Sequence, residues 1–182
     1  MIFYLLFVIT IALLLLLLSM VWPPDSPWSP WWRTNKKTAL KIIKLAKITE
    51  KDFIVDLGCG DGTALITAAK NKKAHGAGVE IDPFRVLIAK IRVLLGGVSD
   101  LIVIKRGNLF DQDISGSSLV IVYLIPKTLK RLKKKFFAEL KPGTKVISYM
   151  YQIDFLPEVV RDEDSHVYVY LIPKKRTNTE KN

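Results

Sequence analysis

Residues 53 to 62 read Phe-Ile-Val-Asp-Leu-Gly-Cys-Gly-Asp-Gly, and Glu80 closes the next apolar run, Ala77-Gly78-Val79-Glu80. A short apolar strand, Phe53 to Leu57, runs into Gly58, Gly60 and Gly62, and a helix is predicted to begin at Thr63. With no Cβ atoms in the turn, a ligand can lie directly against the backbone. In open α/β sheets, ligands bind just outside the carboxyl ends of the strands, where this turn would sit.

The acids decide which ligand. A pyrophosphate at the helix N-terminus would lie between Asp56 and Asp61 and be repelled by both. A ligand carrying an ammonium and a sulfonium would be attracted by the same pair. The dinucleotide fingerprint also asks for Gly or Ala where this chain has Thr63. S-adenosylmethionine therefore fits better than NAD. Glu80 lies about twenty residues on, where an acid accepts hydrogen bonds from both ribose hydroxyls. A bare glycine turn would be weak evidence; Asp56 and Glu80 make it specific.

Asp56-Leu57-Gly58-Cys59-Gly60-Asp61-Gly62 resembles motif I of the class I S-adenosylmethionine-dependent methyltransferases. Gly107 to Phe110, Leu119 to Pro126 with its Tyr-Leu-x-Pro run, and Leu140 to Ser148 are similar to one subgroup. It comprises small membrane-anchored enzymes related to the lysine methyltransferase of the ATP synthase c-subunit. The likeness covers about residues 1 to 172. It implies an α/β, Rossmann-like class I methyltransferase fold, mostly parallel, with helices on both faces and one transmembrane helix in front. It also implies S-adenosylmethionine held by Thr34, Asp56, Gly58, Gly60, Asp61, Gly62, Glu80, Ile81, Asn108 and Leu109. Tyr123 and Pro126, at the carboxyl end of the fourth strand, then face the acceptor. Two stretches depart from the subgroup. Pro30-Trp31-Trp32-Arg33-Thr34 carries Arg33 where relatives have a second proline. Tyr149-Met150-Tyr151-Gln152 follows the fifth strand, where bacterial relatives tend to carry His or Asp.

Positioning these residues takes one domain, and about 150 residues remain for it once the N-terminus is set aside. Ile2 to Trp22 contains no charged residue and includes an unbroken leucine run, Leu13 to Leu18. A helix of that length spans about 31 Å, the thickness of a bilayer's hydrocarbon core. Its apolar residues favour insertion by on the order of 5 to 9 kcal/mol. A cleaved signal peptide would show a basic n-region and a small-x-small site, and neither is present. Residues 1–22 are therefore expected to form a single-pass anchor. No Lys or Arg precedes it, whereas Arg33, Lys36, Lys37, Lys41, Lys44 and Lys47 follow. The positive-inside rule then puts the catalytic domain on the cytoplasmic side.

Pro23, Pro24, Pro27 and Pro30 mark a stiff linker over residues 23–37, and all four tryptophans lie in or beside it. They suit an aromatic belt at the interface, or Trp31 or Trp32 folding back over the cofactor. The domain is predicted over residues 38–172. Its elements are an amphipathic helix from Thr38 to Ile48, the first strand and turn, and a helix from Thr63 to about Lys70. A strand at Ala77 to Ile81 leads into a helix capped by Asp82-Pro83 and ending near Leu95. Strands follow at Asp100–Ile104, Leu119–Leu124, Lys145–Met150 and His166–Ile172, with a helix from Lys127 to Leu140. Only one strand is legible after the fifth, so the terminal hairpin is expected to be trimmed. Residues 173–182 read as a disordered basic tail.

Twenty-eight basic against seventeen acidic residues leave a net charge of +11. The excess gathers after the anchor, on the Lys127–Leu140 helix and in the tail. Beside a bilayer, attraction to anionic lipid is the simplest account; RNA binding and a plainly solvated face compete with it. The lone cysteine, Cys59, excludes an internal disulfide, and with His75 and His166 scattered no metal ligand set is legible. The leading reading is a membrane-anchored methyltransferase acting on a lysine of a membrane-associated protein. Methylation of a membrane-associated small molecule or of RNA, and a non-catalytic adaptor of the same fold, stand as alternatives; nucleic acid is the less favoured partner.

Overall fold

The structure, a computed structural model, describes residues 1–21 and 33–174, leaving out the side chains of 16 and 18–21. The proline and tryptophan linker and most of the basic tail lie outside the described residues, as do the expectations attached to them. α1, Ile2–Val21, is a 20-residue helix with no charged residue. Among the described residues, which omit those five side chains near the end of α1, no helix is long and apolar enough to cross a membrane.

The domain opens with α2, Lys36–Leu45, capped where the Asn35 side chain accepts the Thr38 N–H at 2.8 Å. β1 (Phe53–Leu57), α3 (Thr63–Lys72), β2 (His75–Glu80), α4 (Pro83–Leu95) and β3 (Ile102–Arg106) follow. β4 (Leu119–Val122), α5 (Pro126–Glu139), β5 (Lys145–Tyr149), β6 (Glu158–Asp162) and β7 (Val167–Leu171) complete it. The sheet runs β3-β2-β1-β4-β5-β7-β6. β1 to β5 pair in parallel, while β7 is antiparallel to both β5 and β6. This is the Rossmann-like α/β methyltransferase architecture that the glycine turn and the strand–helix alternation predict.

Strand periodicity divides the core. Ile54, Ile121, Ile147 and Val169 face one side and pack with Ile42, Leu65, Ala89 and Val93 of α2, α3 and α4. Val55, Leu57, Val120 and Val146 face the other and pack with Leu129, Leu132 and Phe136 of α5. Each such buried side chain contributes roughly 1.5–3 kcal/mol. Helices cover both faces, three on one side and one on the other among the described residues.

The terminal hairpin is complete, which corrects the trimmed hairpin expected from sequence. Glu158-Val159-Val160-Arg161-Asp162 is an edge strand with four exposed residues and a register shift near its start. It lacks apolar alternation because neither of its faces is buried, so periodicity could not reveal it. Other boundaries move by a few residues. β2 begins at His75, before the apolar run, and β3 extends through Lys105 and Arg106 at the opposite edge.

β2 tolerates two glycines because side chains would not fit. A Cβ on Gly76 would stand 2.6 Å from the Ile54 carbonyl oxygen, and one on Gly78 would stand 2.7 Å from Cys59 Sγ. The second contact lets β2 lie tightly under the turn that follows β1.

Candidate cofactor site and acceptor mouth

The β1–α3 turn is stitched to the end of β2 before any ligand is considered. The Gly58 and Cys59 N–H groups both donate to the Val79 carbonyl, at 2.9 and 3.0 Å. Gly58, Gly60 and Gly62 adopt φ of +85°, +55° and +76°, the left-handed region that glycine enters without strain. Glu80 closes the turn from the other side. Its Oε2 accepts the Gly60 N–H at 3.0 Å, and its Oε1 accepts the N–H of Ile81 at 3.0 Å and of Asp82 at 3.1 Å. Asp82 in turn caps α4 by accepting the Arg85 N–H at 2.8 Å.

The three acids at this turn have different partners. Asp61 accepts the Thr63 hydroxyl at 2.6 Å and is paired with Arg92 of α4 and with Arg33, whose Nε lies 2.7 Å away. Its charge is therefore largely met by protein. Asp56 takes no hydrogen bond or ion pair among the described residues, although its side chain is buried at the end of β1. Burial, reinforced by the charges of Glu80 and then Asp61, pushes its carboxyl up to about 7. Discrimination between a cationic ligand and a pyrophosphate thus rests on Asp56 and Glu80; Asp61 contributes less than the sequence implied. Burial also pushes the Cys59 thiol up, so it remains a small, unreactive residue of the turn.

One cavity gathers most of the residues singled out from sequence. Thr34, Asp56, Gly58, Gly60, Asp61, Glu80, Ile81, Asn108, Leu109 and Tyr123 all line it. Gly62 stands just behind as the left-handed N-cap of α3. Asn108 and Leu109 form the rim after β3, where the Gly107 N–H donates to the Glu80 carbonyl at 3.0 Å and the Asn108 side chain accepts the Phe110 N–H. Pro126 does not line this cavity. It begins α5 and borders a neighbouring cleft with Lys130, Gln152 and Phe155.

Tyr149, which the sequence marked only as a departure, is a wall of the cavity. Its ring centroid lies 4.4 Å from that of Tyr123, with the planes tilted by 55°. The two rings stand at the carboxyl ends of the adjacent strands β4 and β5, on the side away from Glu80. Burial, followed by the neighbouring Tyr149 and Tyr151, raises the Tyr123 hydroxyl. It therefore stays protonated as a hydrogen-bond donor.

These features fit S-adenosylmethionine. Asp56 is a buried carboxyl, unpartnered among the described residues and suited to an ammonium or sulfonium. Glu80 Oε2, which accepts a single N–H, keeps capacity for a ribose hydroxyl, and the glycines leave room against the backbone. When bound, the cofactor supplies a methyl group on a positively charged sulfur. The chain's part would be to align an acceptor with that methyl.

Comparison with known proteins agrees. The family described as the ANTKMT methyltransferase domain matches residues 56–160. A protein-lysine N-methyltransferase of Saccharolobus islandicus is 38% identical over 153 residues, 80% of this chain and 95% of that protein. The ATP synthase c-subunit lysine N-methyltransferase of Xenopus laevis is 28% identical over 122 residues, 67% of this chain and 52% of that protein. Among solved structures, an RNA methyltransferase from Salinibacter ruber in complex with S-adenosyl-L-homocysteine superposes with a TM-score of 0.76. It shares 34% identity and covers 83% of this chain and 100% of its own. The buried acids, the glycine turn and these likenesses converge: the chain belongs to the ANTKMT methyltransferase domain family and is an S-adenosylmethionine-dependent methyltransferase.

Proposed function

We propose that this enzyme methylates the side-chain amine of a lysine in a protein held at or in a membrane. The observation that carries the reading is the Tyr123–Tyr149 pair. A lysine presented to the cavity meets the aromatic wall that the two contacting rings form together, and their faces attract its cation. Desolvation there favours the neutral amine, its proton passing to solvent. The nitrogen lone pair would then form the N–C bond as the methyl's bond to sulfur breaks and S-adenosylhomocysteine leaves. The Tyr123 hydroxyl orients the amine as it enters. The Saccharolobus and Xenopus relatives, both lysine N-methyltransferases, support a lysine acceptor.

The membrane part of the proposal is supported by the uncharged α1 sequence and by the basic residues that follow it. α1 serves as a single-pass anchor that holds the domain on the cytoplasmic face, where S-adenosylmethionine is available.

The likeness to the Salinibacter RNA methyltransferase, and the basic face of α5, make RNA the second acceptor to test. The test uses the full chain, methyl-labelled S-adenosylmethionine and a membrane extract containing both protein and RNA. Label that is released by protease and survives nuclease is expected. Label released by nuclease would replace the lysine reading with an RNA one.

A further inference from the structure

α4 is apolar on both of its faces, and among the described residues only one of them is buried. Val86, Ala89 and Val93 are buried against the sheet. On the outward side Phe84, Leu87, Ile91, Leu94 and Leu95 are 47%, 55%, 46%, 70% and 80% exposed. Their spacing puts them in one stripe along the helix. Solvated helix faces are normally charged, so an apolar stripe of this length marks a contact surface.

We propose that this face of α4 lies on an anionic bilayer surface, with the five apolar side chains entering the headgroup–acyl boundary. The proposal builds on the anchor reading above, and three observations point to lipid. The helix carries no acid from Pro83 to Leu95, and Lys90 is exposed on it. Basic groups border it at both ends: Arg106 reaches the Ile81 carbonyl beside its start, and Lys70 Cε lies 3.3 Å from where a Gly96 Cβ would stand. Apolar side chains with a cationic border are the pattern of helices that lie in a membrane interface.

The third observation is where the chain leaves the domain. Arg33 and Arg92 share the Asp61 carboxylate, so Arg33, the first described residue of the domain, sits beside α4. Residues 22–32 reach at most about 40 Å when fully extended. An inserted α1 therefore keeps Arg33 and the neighbouring α4 within that distance of the bilayer. Packing of two copies through the stripe would set Lys70, Lys90 and Arg106 against their like charges with no acid on α4 to offset them. Because α4 follows directly from Glu80 and Asp82, the docked domain holds the cofactor cavity at the membrane surface, within reach of a membrane-embedded lysine.

The test uses the full chain carrying Leu87→Cys, Ile91→Cys or Leu94→Cys, each labelled with an environment-sensitive fluorophore. Asp164→Cys, in the β6–β7 turn at the far edge of the sheet, is the control. The native Cys59 is buried and does not compete for label. Vesicles contain phosphatidylglycerol, phosphatidylcholine and a spin-labelled lipid, and carbonate extraction reports on α1 separately. At least about two-fold quenching is expected at the three stripe positions, with none at position 164. An unquenched stripe in carbonate-resistant protein would overturn the α4 contact and leave the anchor standing. A quenched stripe in carbonate-extractable protein would sustain the contact and remove the anchor. Protein that is extracted and unquenched removes both. Labels shielded from lipid and aqueous quenchers alike, in a chain that is dimeric in detergent, would replace the bilayer with a second copy.

Discussion

Arg33 Nε lies 2.7 Å from Asp61 Oδ2, tying the segment that enters the domain to the turn that carries the cofactor glycines. Thr34, the next residue, lines the cavity. The pair holds one wall of the site in place, but the Arg33 side chain is 60% exposed and its contribution is only about 0–1 kcal/mol. Arg33→Ala is expected to weaken S-adenosylmethionine binding by no more than about five-fold. Arg92→Ala should cost more, because it also loses bonds to the Asp61 carbonyl and the Thr63 hydroxyl. Calorimetric titration of the full chain in detergent ranks them. An Arg33 variant as impaired as Glu80→Ala would show that the segment binds the cofactor directly.

The Asp56 carboxyl, raised from 3.8 to about 7, makes two opposite pH dependences. Between those values the folded chain holds a proton that the unfolded chain has released, so this group's contribution to stability falls as pH rises through the window and levels off above it. Binding runs the other way. Ionised Asp56 is the form that attracts an ammonium and a sulfonium, so cofactor affinity should rise as pH climbs through about 7. Asp56→Asn should flatten that affinity profile and remove this part of the stability slope. Calorimetry and thermal melts from about pH 5 to pH 8 check both; an affinity profile that keeps its slope in Asp56→Asn would assign the titration to another group.

Gly76→Ala and Gly78→Ala should lower the melting temperature sharply. Their new methyl groups would meet the Ile54 carbonyl at 2.6 Å and Cys59 Sγ at 2.7 Å, overpacking that costs roughly 1–3 kcal/mol each. Gly116→Ala, with nothing within 4 Å of the added carbon, should change stability by less than about 0.5 kcal/mol. Equal melting temperatures for all three would contradict the close packing of β2 under the turn.

Tyr123→Ala and Tyr149→Ala should each reduce kcat/KM for the acceptor by about ten-fold or more while leaving the cofactor Kd within about three-fold. Tyr123→Phe separates the ring from the hydroxyl and should be milder. Loss of cofactor binding in either alanine variant would place the aromatic pair on the cofactor and not on the acceptor.

Asp56, the three glycines and Glu80 were legible in the sequence because their chemistry is local: a strand end, a tight turn and the next strand end. The helix α4 was legible from its Asp82-Pro83 cap, and α2 and α5 from apolar spacing. Arg33 with Asp61, and Arg92 with Asp61, were not, since each pair is brought together only by the turn of the chain around β1 and β2. Tyr149 became a site residue only when β5 was set beside β4. β6 escaped notice because an exposed edge strand needs no apolar alternation. The outward stripe of α4 was hidden for the opposite reason: a helix apolar on both faces reads from sequence like an ordinary core helix.

The most direct test of the lysine reading is amino-acid analysis of membrane protein after incubation with the full chain and methyl-labelled S-adenosylmethionine, beside Glu80→Ala and Tyr123→Ala. The expected result is label recovered as N-methylated lysine with the wild-type chain and sharply reduced with both variants. Label recovered on any other residue, or equal labelling by the wild-type and variant chains, would contradict the account.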